Sequence, residues 1–349
     1  MKSLINKVTE IDAINGLDLI PDEYVNCIVT SPPYWGLRDY GDKVFSEFPE
    51  VSFSIFGLPI TIPEWKGQLG LEPDPMMFVG HIVYIFRKAK RVLRNDGVMW
   101  LNFGDTYAGY WGNKYGTPQS FGKLRNKNNY KGTPPKRDSP NFKFYKPKDL
   151  MGIPWTVALA LRDDGWYLRQ DIIWSKPNPM PESVTDRCTK AHEYIFMLSK
   201  SKKYFYDAEA IKTPPKESSI SRWNQNIVEQ NGSDRIPGKK NGNMKAVGGP
   251  LKNLPEGQMS MGANKRSVWE VATKPFSDAH FATYPDNLII DCIKAGCPVG
   301  GVVLDPFSGS NTTGIVAKKL NRNYVAFEIN PDYKNIYENR THRELGLFQ

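Results

Sequence analysis

The sequence predicts an α/β protein built on a doubly wound, mostly parallel sheet that carries an antiparallel hairpin and basic insertions. Three observations predict it. Short β-branched runs alternate with stretches of helical spacing, one run enters a glycine loop that opens a helix, and the cationic residues concentrate in two irregular segments. The 349 residues are enough for one large domain with insertions or for two domains. With 40% hydrophobic and 24% charged residues the chain reads as globular, not disordered. No apolar run approaches the ~20 residues of a membrane span. The first seven residues, Met1 to Lys7, lack the apolar core and cleavage site of a signal peptide, so no membrane association and a cytoplasmic location are expected.

In order along the chain, residues 2–14 read as a strand leading into a turn, and Asn15 to Asp22 as a short helix. Tyr24 to Thr30 is short, apolar and β-branched, as a buried strand should be. It must stop at Ser31-Pro32-Pro33-Tyr34, because two prolines cannot continue a ladder. Residues 45–68 read as irregular. Met76, Met77, Val79, Val83, Phe86, Ala89 and Val92 fall at helical spacing, so 75–94 is expected to be a helix closed by Asn95-Asp96-Gly97. Val98 to Phe103 is the next strand, 154–164 a helix, and Tyr167 to Trp174 and Tyr194 to Leu198 further strands. Lys200 to Lys203 reads as a hairpin turn before Tyr204-Phe205-Tyr206. Residues 285–295 are expected to be helical, Val302 to Leu304 a strand, Ser310 to Leu320 a helix and Tyr324 to Phe327 a strand.

The net charge of +9 is unevenly placed. Residues 107–150 carry ten Lys/Arg against two acidic residues, and residues 211–268 carry ten against four, so the remainder is mildly acidic. Both segments are rich in Gly, Pro and Asn, and aromatics lie between the charges: Trp111, Tyr115, Phe121, Tyr130, Phe144 and Tyr145 in the first, Trp223 in the second. Basic loops on an acidic body suit a polyanion. The four cysteines, Cys27, Cys188, Cys292 and Cys297, form no C-x-x-C pair and have no histidine at ligand spacing, so neither a metal site nor a disulfide framework is expected.

Two segments carry chemistry. Val302 to Gly314 reads strand, tight turn, helix start, and Glu328 closes the next strand. Small residues allow a ligand close to the backbone, a helix N-terminus offers free N–H groups, and an acidic side chain in that place can hold both hydroxyls of a ribose. The segment lacks the Gly-Lys-Ser/Thr of a P-loop and the G-x-G-x-x-G of a dinucleotide loop, which leaves an S-adenosylmethionine (AdoMet) loop or a structural turn. Ser31-Pro32-Pro33-Tyr34 lies at the end of a parallel strand, where α/β sheets bind ligands. A rigid proline turn can hold a planar amine. The Ser31 side chain and the Pro32 carbonyl would accept its two hydrogens, its lone pair would turn toward a methyl sulfonium, and Tyr34 would stack on the ring. A structural Pro-Pro turn is the plainer reading of these four residues.

Taken together, Ser-Pro-Pro-Tyr near the N-terminus and Asp305-Pro306-Phe307-x-Gly309 near the C-terminus resemble the beta-class amino-methyltransferases of bacterial and phage DNA. The resemblance covers most of the chain outside the basic segments. It implies a circularly permuted, Rossmann-like AdoMet-dependent fold and methylation of an exocyclic amino group in double-stranded DNA. It places Asp305, Phe307, Gly309, Ser310, Asn311 and Thr312 in the AdoMet loop and Glu328 on the ribose. Asp12 would stand near the adenine, and the segment of Phe281, Thr283 and Pro285 around the methionine end. Ser31, Pro32, Pro33 and Tyr34 would be catalytic, with Trp174, in Trp174-Ser175-Lys176-Pro177-Asn178, either a second stacking group or core. Asn311 departs from the family, which usually has glycine there; Asn tolerates the left-handed backbone better than other non-glycine residues. Serine before Pro-Pro resembles enzymes acting on cytosine N4, whereas Asp or Asn resembles those acting on adenine N6. The expected organisation is a catalytic and AdoMet-binding domain of 1–210 and 269–349, with 107–150 as a DNA-contacting loop and 211–268 as the target-recognition region. A base must be flipped out to be reached, and basic loops on phosphates would offset part of that cost. The resemblance also leaves room for a cognate restriction endonuclease and for a monomer or a dimer. Methylation of RNA or a protein amide, or a DNA-binding relative without catalysis, are the rival readings.

Overall fold

The computed structural model describes residues 3–37, 39–41, 44–108, 145, 146, 148–214, 262–273 and 284–346. Most of both basic segments therefore lies outside the described residues, as do Phe281 and Thr283. In chain order the helices and strands are β1 (Lys7–Glu10), α1 (Ala13–Asp18), β2 (Val25–Thr30), β3 (Ser46–Phe48), β4 (Val51–Ile55), β5 (Leu58–Ile62), β6 (Trp65–Gly67), α2 (Pro75–Val92), β7 (Leu93–Phe103), α3 (Ile153–Asp163), β8 (Tyr167–Ser175), β9 (His192–Ser199), β10 (Val268–Glu270), α4 (Asp286–Gly296), β11 (Val302–Asp305), α5 (Thr312–Lys319), β12 (Asn323–Glu328) and α6 (Lys334–Leu345). The chain divides into two compact units, Met1–Tyr206 with Ser267–Gln349, and Asp207–Arg266. In the second, Thr213 and Ala263 exchange a pair of backbone hydrogen bonds of 2.8 and 2.9 Å.

The first unit is an eight-stranded sheet in the order β1-β12-β11-β2-β7-β9-β8-β10. Every described neighbour pair is parallel except the two that β9 makes, with β7 and with β8. This is the AdoMet-dependent methyltransferase fold that the sequence implies. Side chains on a strand alternate between faces, and the central strands serve two helical layers in that way. Ile28, Met99 and Leu101 join a buried cluster with Phe78, Ile82 and Phe86 of α2 and Val157 and Leu161 of α3. Their neighbours Cys27, Val98 and Trp100 face Gly296 of α4 instead. Asp74 caps α2 by accepting from Met76 N at 2.6 Å, and Pro75 takes the first helical position, where it costs no hydrogen bond.

Several elements differ from expectation, each for a local reason. Residues 45–68 are two small antiparallel pairs, β3 with β6 and β4 with β5. The β4–β5 turn is Phe56-Gly57 with φ of 54° and 76°, a two-residue turn of the kind Asn-Gly usually makes, and a phenylalanine in the left-handed region hides it. Asn95-Asp96-Gly97 does not separate helix from strand, because β7 already starts at Leu93. The register with β2 jumps from Val25–Leu93 to Cys27–Val98, so residues 94–97 bulge out of the ladder. Tyr204 to Tyr206 form no strand; Phe205 N donates instead to Asp96 O at 2.8 Å, and the antiparallel pairing belongs to β8 and β9. Among the described residues no helix is long and apolar enough to cross a membrane.

Gly296 sets how closely α4 approaches the sheet. A Cβ there would lie 2.6 Å from Trp100 Nε1, 2.7 Å from Val98 Cγ2 and 2.9 Å from Cys27 Sγ. Gly296→Ala is therefore expected to destabilise the protein by about 1–3 kcal/mol through overpacking. The urea midpoint measures this, and an unchanged midpoint would show that the helix can move away freely.

Candidate active site

β2 and β11 are neighbours in the middle of the sheet, so Ser31-Pro32-Pro33-Tyr34 and the glycine loop leave it side by side. The open crevice beyond such strand ends is where an α/β sheet takes its ligand. One buried carboxylate ties the two segments. Asp305 Oδ1 accepts from Thr30 Oγ1 at 2.7 Å and from Phe307 N at 3.1 Å. Its Oδ2 accepts from Thr313 Oγ1 at 2.6 Å and from Tyr284 Oη at 3.1 Å. Burial pushes its pKa up, and these donors oppose the shift. Asp305 thus lies beneath the crevice and does not line it, whereas Tyr284 does line it.

The glycine loop turns at Gly309 (φ 54°) and again at Asn311 (φ 63°), so asparagine does take the left-handed conformation here. Its side chain points into the protein: Nδ2 donates to Thr341 Oγ1 at 2.9 Å and to Tyr324 Oη at 3.3 Å. Glu328 Oε2 accepts from Gly309 N at 2.7 Å, and Oε1 from Asn330 N at 2.8 Å. Burial, with a smaller contribution from nearby Asp305, raises the Glu328 pKa to about 7 against those two donors. Arg340 of α6, itself buried, holds the far side of the loop. It donates to Ser310 Oγ (2.8 Å), Thr312 Oγ1 (2.6 Å), Asp286 Oδ1 (2.8 Å) and Glu344 Oε1 (2.9 Å). Asp12 caps α1, accepting from Ile14 N and Asn15 N at 2.9 and 3.1 Å. Pro285 is buried at the start of α4.

At the proline turn, Tyr34 packs one side of its ring on Phe103, centroids 5.6 Å apart, and Gly104 makes room, since a Cβ there would lie 2.7 Å from Tyr34 Cε2. Trp35 anchors the turn below, with Nε1 donating to Glu72 O at 3.0 Å. Ser31 Oγ donates to Tyr34 Oη at 3.2 Å, and Tyr34 Oη donates to Glu193 Oε2 (2.8 Å) or Asn102 Oδ1 (3.1 Å). Lys176 Nζ bonds Glu193 Oε1 and sits 4.4 Å above the Trp174 ring. Trp174 is 3% exposed and donates to Val271 O at 2.8 Å, so it packs in the core and one of its faces is taken by the ammonium.

One cavity of about 1260 Å³ holds both segments. Asp12, Phe307, Gly309, Ser310, Thr312 and Glu328 line it together with Ser31, Pro32, Pro33, Tyr34 and Trp174; Asp305, Asn311 and Pro285 do not. A single small ligand needs roughly 300–1000 Å³, so the cavity exceeds what one such ligand fills. The lining fits a nucleoside cofactor: an acceptor carboxylate at Glu328, open backbone at Gly309, and a Ser308 Oγ that has no partner among the described residues. Sequence reasoning missed Asn102, Glu193, Tyr284 and Arg340. Tyr284 adjoins residues the family motif points to, whereas nothing in the local pattern marks Glu193 or Arg340.

Comparison with known proteins gives a consistent picture. The DNA methylase model of the N6/N4 methyltransferases matches residues 25–339. Type II methyltransferase M.Cfr9I of Citrobacter freundii is 42% identical over 334 residues, covering 95% of this chain and 86% of that protein. M.SmaI of Serratia marcescens is 37% identical over 332 residues, covering 94% and 87%. Among solved structures, PvuII DNA methyltransferase (cytosine-N4-specific) has a TM-score of 0.55 at 17% identity, covering 96% of this chain and 85% of that one. A DNA modification methylase of Thermus thermophilus, complexed with S-adenosyl-L-methionine, has a TM-score of 0.51 at 18% identity, covering 95% and 91%. These two share the fold.

The raised Glu328 pKa has a signed consequence for stability. The folded protein keeps a proton up to about pH 7 that a free carboxyl, at 4.5, gives up. This contribution to stability is full below the free value and is lost as the pH rises through about 7, a loss of up to about 3 kcal/mol. Urea unfolding at about pH 5 and about pH 8 should show a smaller fall for Glu328→Gln than for the wild type. Equal falls would mean that Glu328 titrates as a free carboxyl does.

Proposed function

The chain belongs to the N6/N4 methyltransferase family of DNA methylases, and from that premise we propose that it methylates N4 of a cytosine flipped out of duplex DNA. As a member it is a DNA methyltransferase, and its methyl donor is S-adenosylmethionine. The observation that carries the finer reading is the cavity itself: Ser31 and Tyr34 line the same space as Phe307, Gly309 and Glu328. The bound cofactor supplies a methyl group on a positively charged sulfur. Glu328 accepts from the ribose hydroxyls, Asp12 stands toward the adenine, and the loop of Phe307, Gly309, Ser310 and Thr312 wraps the rest.

An exocyclic amine is a poor nucleophile because its lone pair is delocalised into the ring. Ser31 Oγ and the Pro32 carbonyl accept its two hydrogens and turn that lone pair toward the methyl group, while Tyr34 stacks on the base. Catalysis is then by position and electrostatics, without a covalent intermediate. Serine at position 31 supports cytosine, and the name of the PvuII enzyme, whose fold this chain shares, points the same way. The basic segments 107–150 and 211–268 take the phosphates, with 211–268 as the target-recognition region. The Type II relatives support a companion restriction endonuclease.

The test is to incubate the protein with AdoMet and unmethylated duplex DNA, digest to nucleosides and identify the product by mass spectrometry. N4-methylcytosine is expected. N6-methyladenine would overturn the cytosine assignment and leave the chemistry standing. An unmodified digest, or methyl groups found only in RNA, would overturn the reading.

A further inference from the structure

Behind the proline turn lies a polar chain that positioning by Ser31 alone does not need. Ser31 Oγ, Tyr34 Oη and Glu193 Oε2 follow one another at 3.2 and 2.8 Å, and Lys176 closes the far end on Glu193 Oε1. Glu193 and Lys176 are largely shielded, their side chains 17% and 18% exposed. Asn102 Nδ2 donates to Tyr194 O at 3.0 Å and to Glu193 Oε2 at 3.2 Å, which turns Asn102 Oδ1 toward Tyr34. All of these side chains but that of Tyr194 line the cavity.

The direction of these bonds follows from what each group can do. A carboxylate only accepts, and the amide oxygen of Asn102 only accepts. The single proton of Tyr34 Oη must therefore go to Glu193 or Asn102. Tyr34 Oη is then left as an acceptor, and the hydroxyl of Ser31 donates to it. With its own proton pointing back into the protein, Ser31 Oγ presents lone pairs to the cavity. An amine hydrogen requires that presentation. A hydroxyl turned the other way would meet the amine proton to proton.

We propose that Glu193 is a positioning residue for methyl transfer: acting through Tyr34, it fixes Ser31 as a hydrogen-bond acceptor toward the target amino group. Lys176 holds the carboxylate in place. The proposal rests on the reading of Ser31 as the amine's acceptor. It also gives the Tyr34 hydroxyl a task separate from stacking, which the ring performs without it. In Glu193→Gln an amide N–H can donate to Tyr34 Oη. The tyrosine proton is then free to turn to Ser31, and the serine proton turns into the cavity.

Single-turnover transfer of radiolabelled methyl from AdoMet to unmethylated plasmid DNA tests this in the full-length protein. Glu193→Gln is expected to slow the transfer step about 10- to 100-fold, with AdoMet and DNA dissociation constants within about twofold of wild type. Tyr34→Phe keeps the ring and leaves no new buried charge, and it should slow transfer by a similar factor. Because both act through one chain, the double variant should be no slower than either single variant. Transfer at the wild-type rate in Glu193→Gln, weaker binding with an unchanged transfer rate, or losses that multiply in the double variant would each overturn the proposal. A wild-type protein that methylates no DNA would instead fail the functional reading, and the proposal with it.

Discussion

A carboxylate taken out of water costs several kcal/mol unless donors surround it. Asp305 meets that condition with four donors from four places: Thr30 at the end of β2, Phe307 in the glycine loop, Thr313 in α5 and Tyr284 just before α4. Thr30 and Asp305 are 275 residues apart in the chain. Their bond puts the proline turn and the glycine loop at one crevice. The rest of the site depends on this register. If the two strands slipped by one residue, Thr30 and Asp305 would face opposite sides of the sheet, and the two segments would no longer share a cavity.

Around this centre each functional segment has its own brace, and the braces come from the periphery. Arg340, on a polar C-terminal helix, donates to two hydroxyls of the glycine loop and is itself balanced by Asp286 and Glu344. Glu72, whose pKa burial raises, bonds the equally buried His81 at 2.9 Å and gives its carbonyl to Trp35 next to the proline turn. Such buried polar groups are costly, and they hold backbone that has little apolar packing of its own. The site is thus placed by hydrogen bonds whose donors and acceptors are fully paired only in the folded chain.

What the sequence made legible divides along physical lines. The central strands β2, β7, β11 and β12 are runs of apolar residues because helices cover both faces, and such runs stand out in any sequence. The proline turn and the glycine loop were legible because their backbone demands are local. By contrast β4 and β5 alternate as surface strands do, but their turn has Phe56 where turn chemistry predicts Asn or Gly. Glu193 lies on a strand whose polar start looks solvent-facing, and its partner Tyr34 is 159 residues away. Arg340 sits among charged residues of α6 and reads as one more surface cation. Asp305, placed by resemblance on the cofactor, is a brace beneath it, since sequence shows which side chain is present but not which way it points.

The most direct measurement is the separation of the two reacting groups in a crystal of the protein with duplex DNA and sinefungin, a cofactor analogue whose amine replaces the transferable methyl. The account predicts one cavity holding both ligands, with the analogue's amine about 3–3.5 Å from the exocyclic nitrogen of a flipped base. The base amine would lie at Ser31 and the ribose at Glu328. A cofactor analogue bound away from the loop of Phe307 and Gly309, or a base seated far from Ser31, would contradict it.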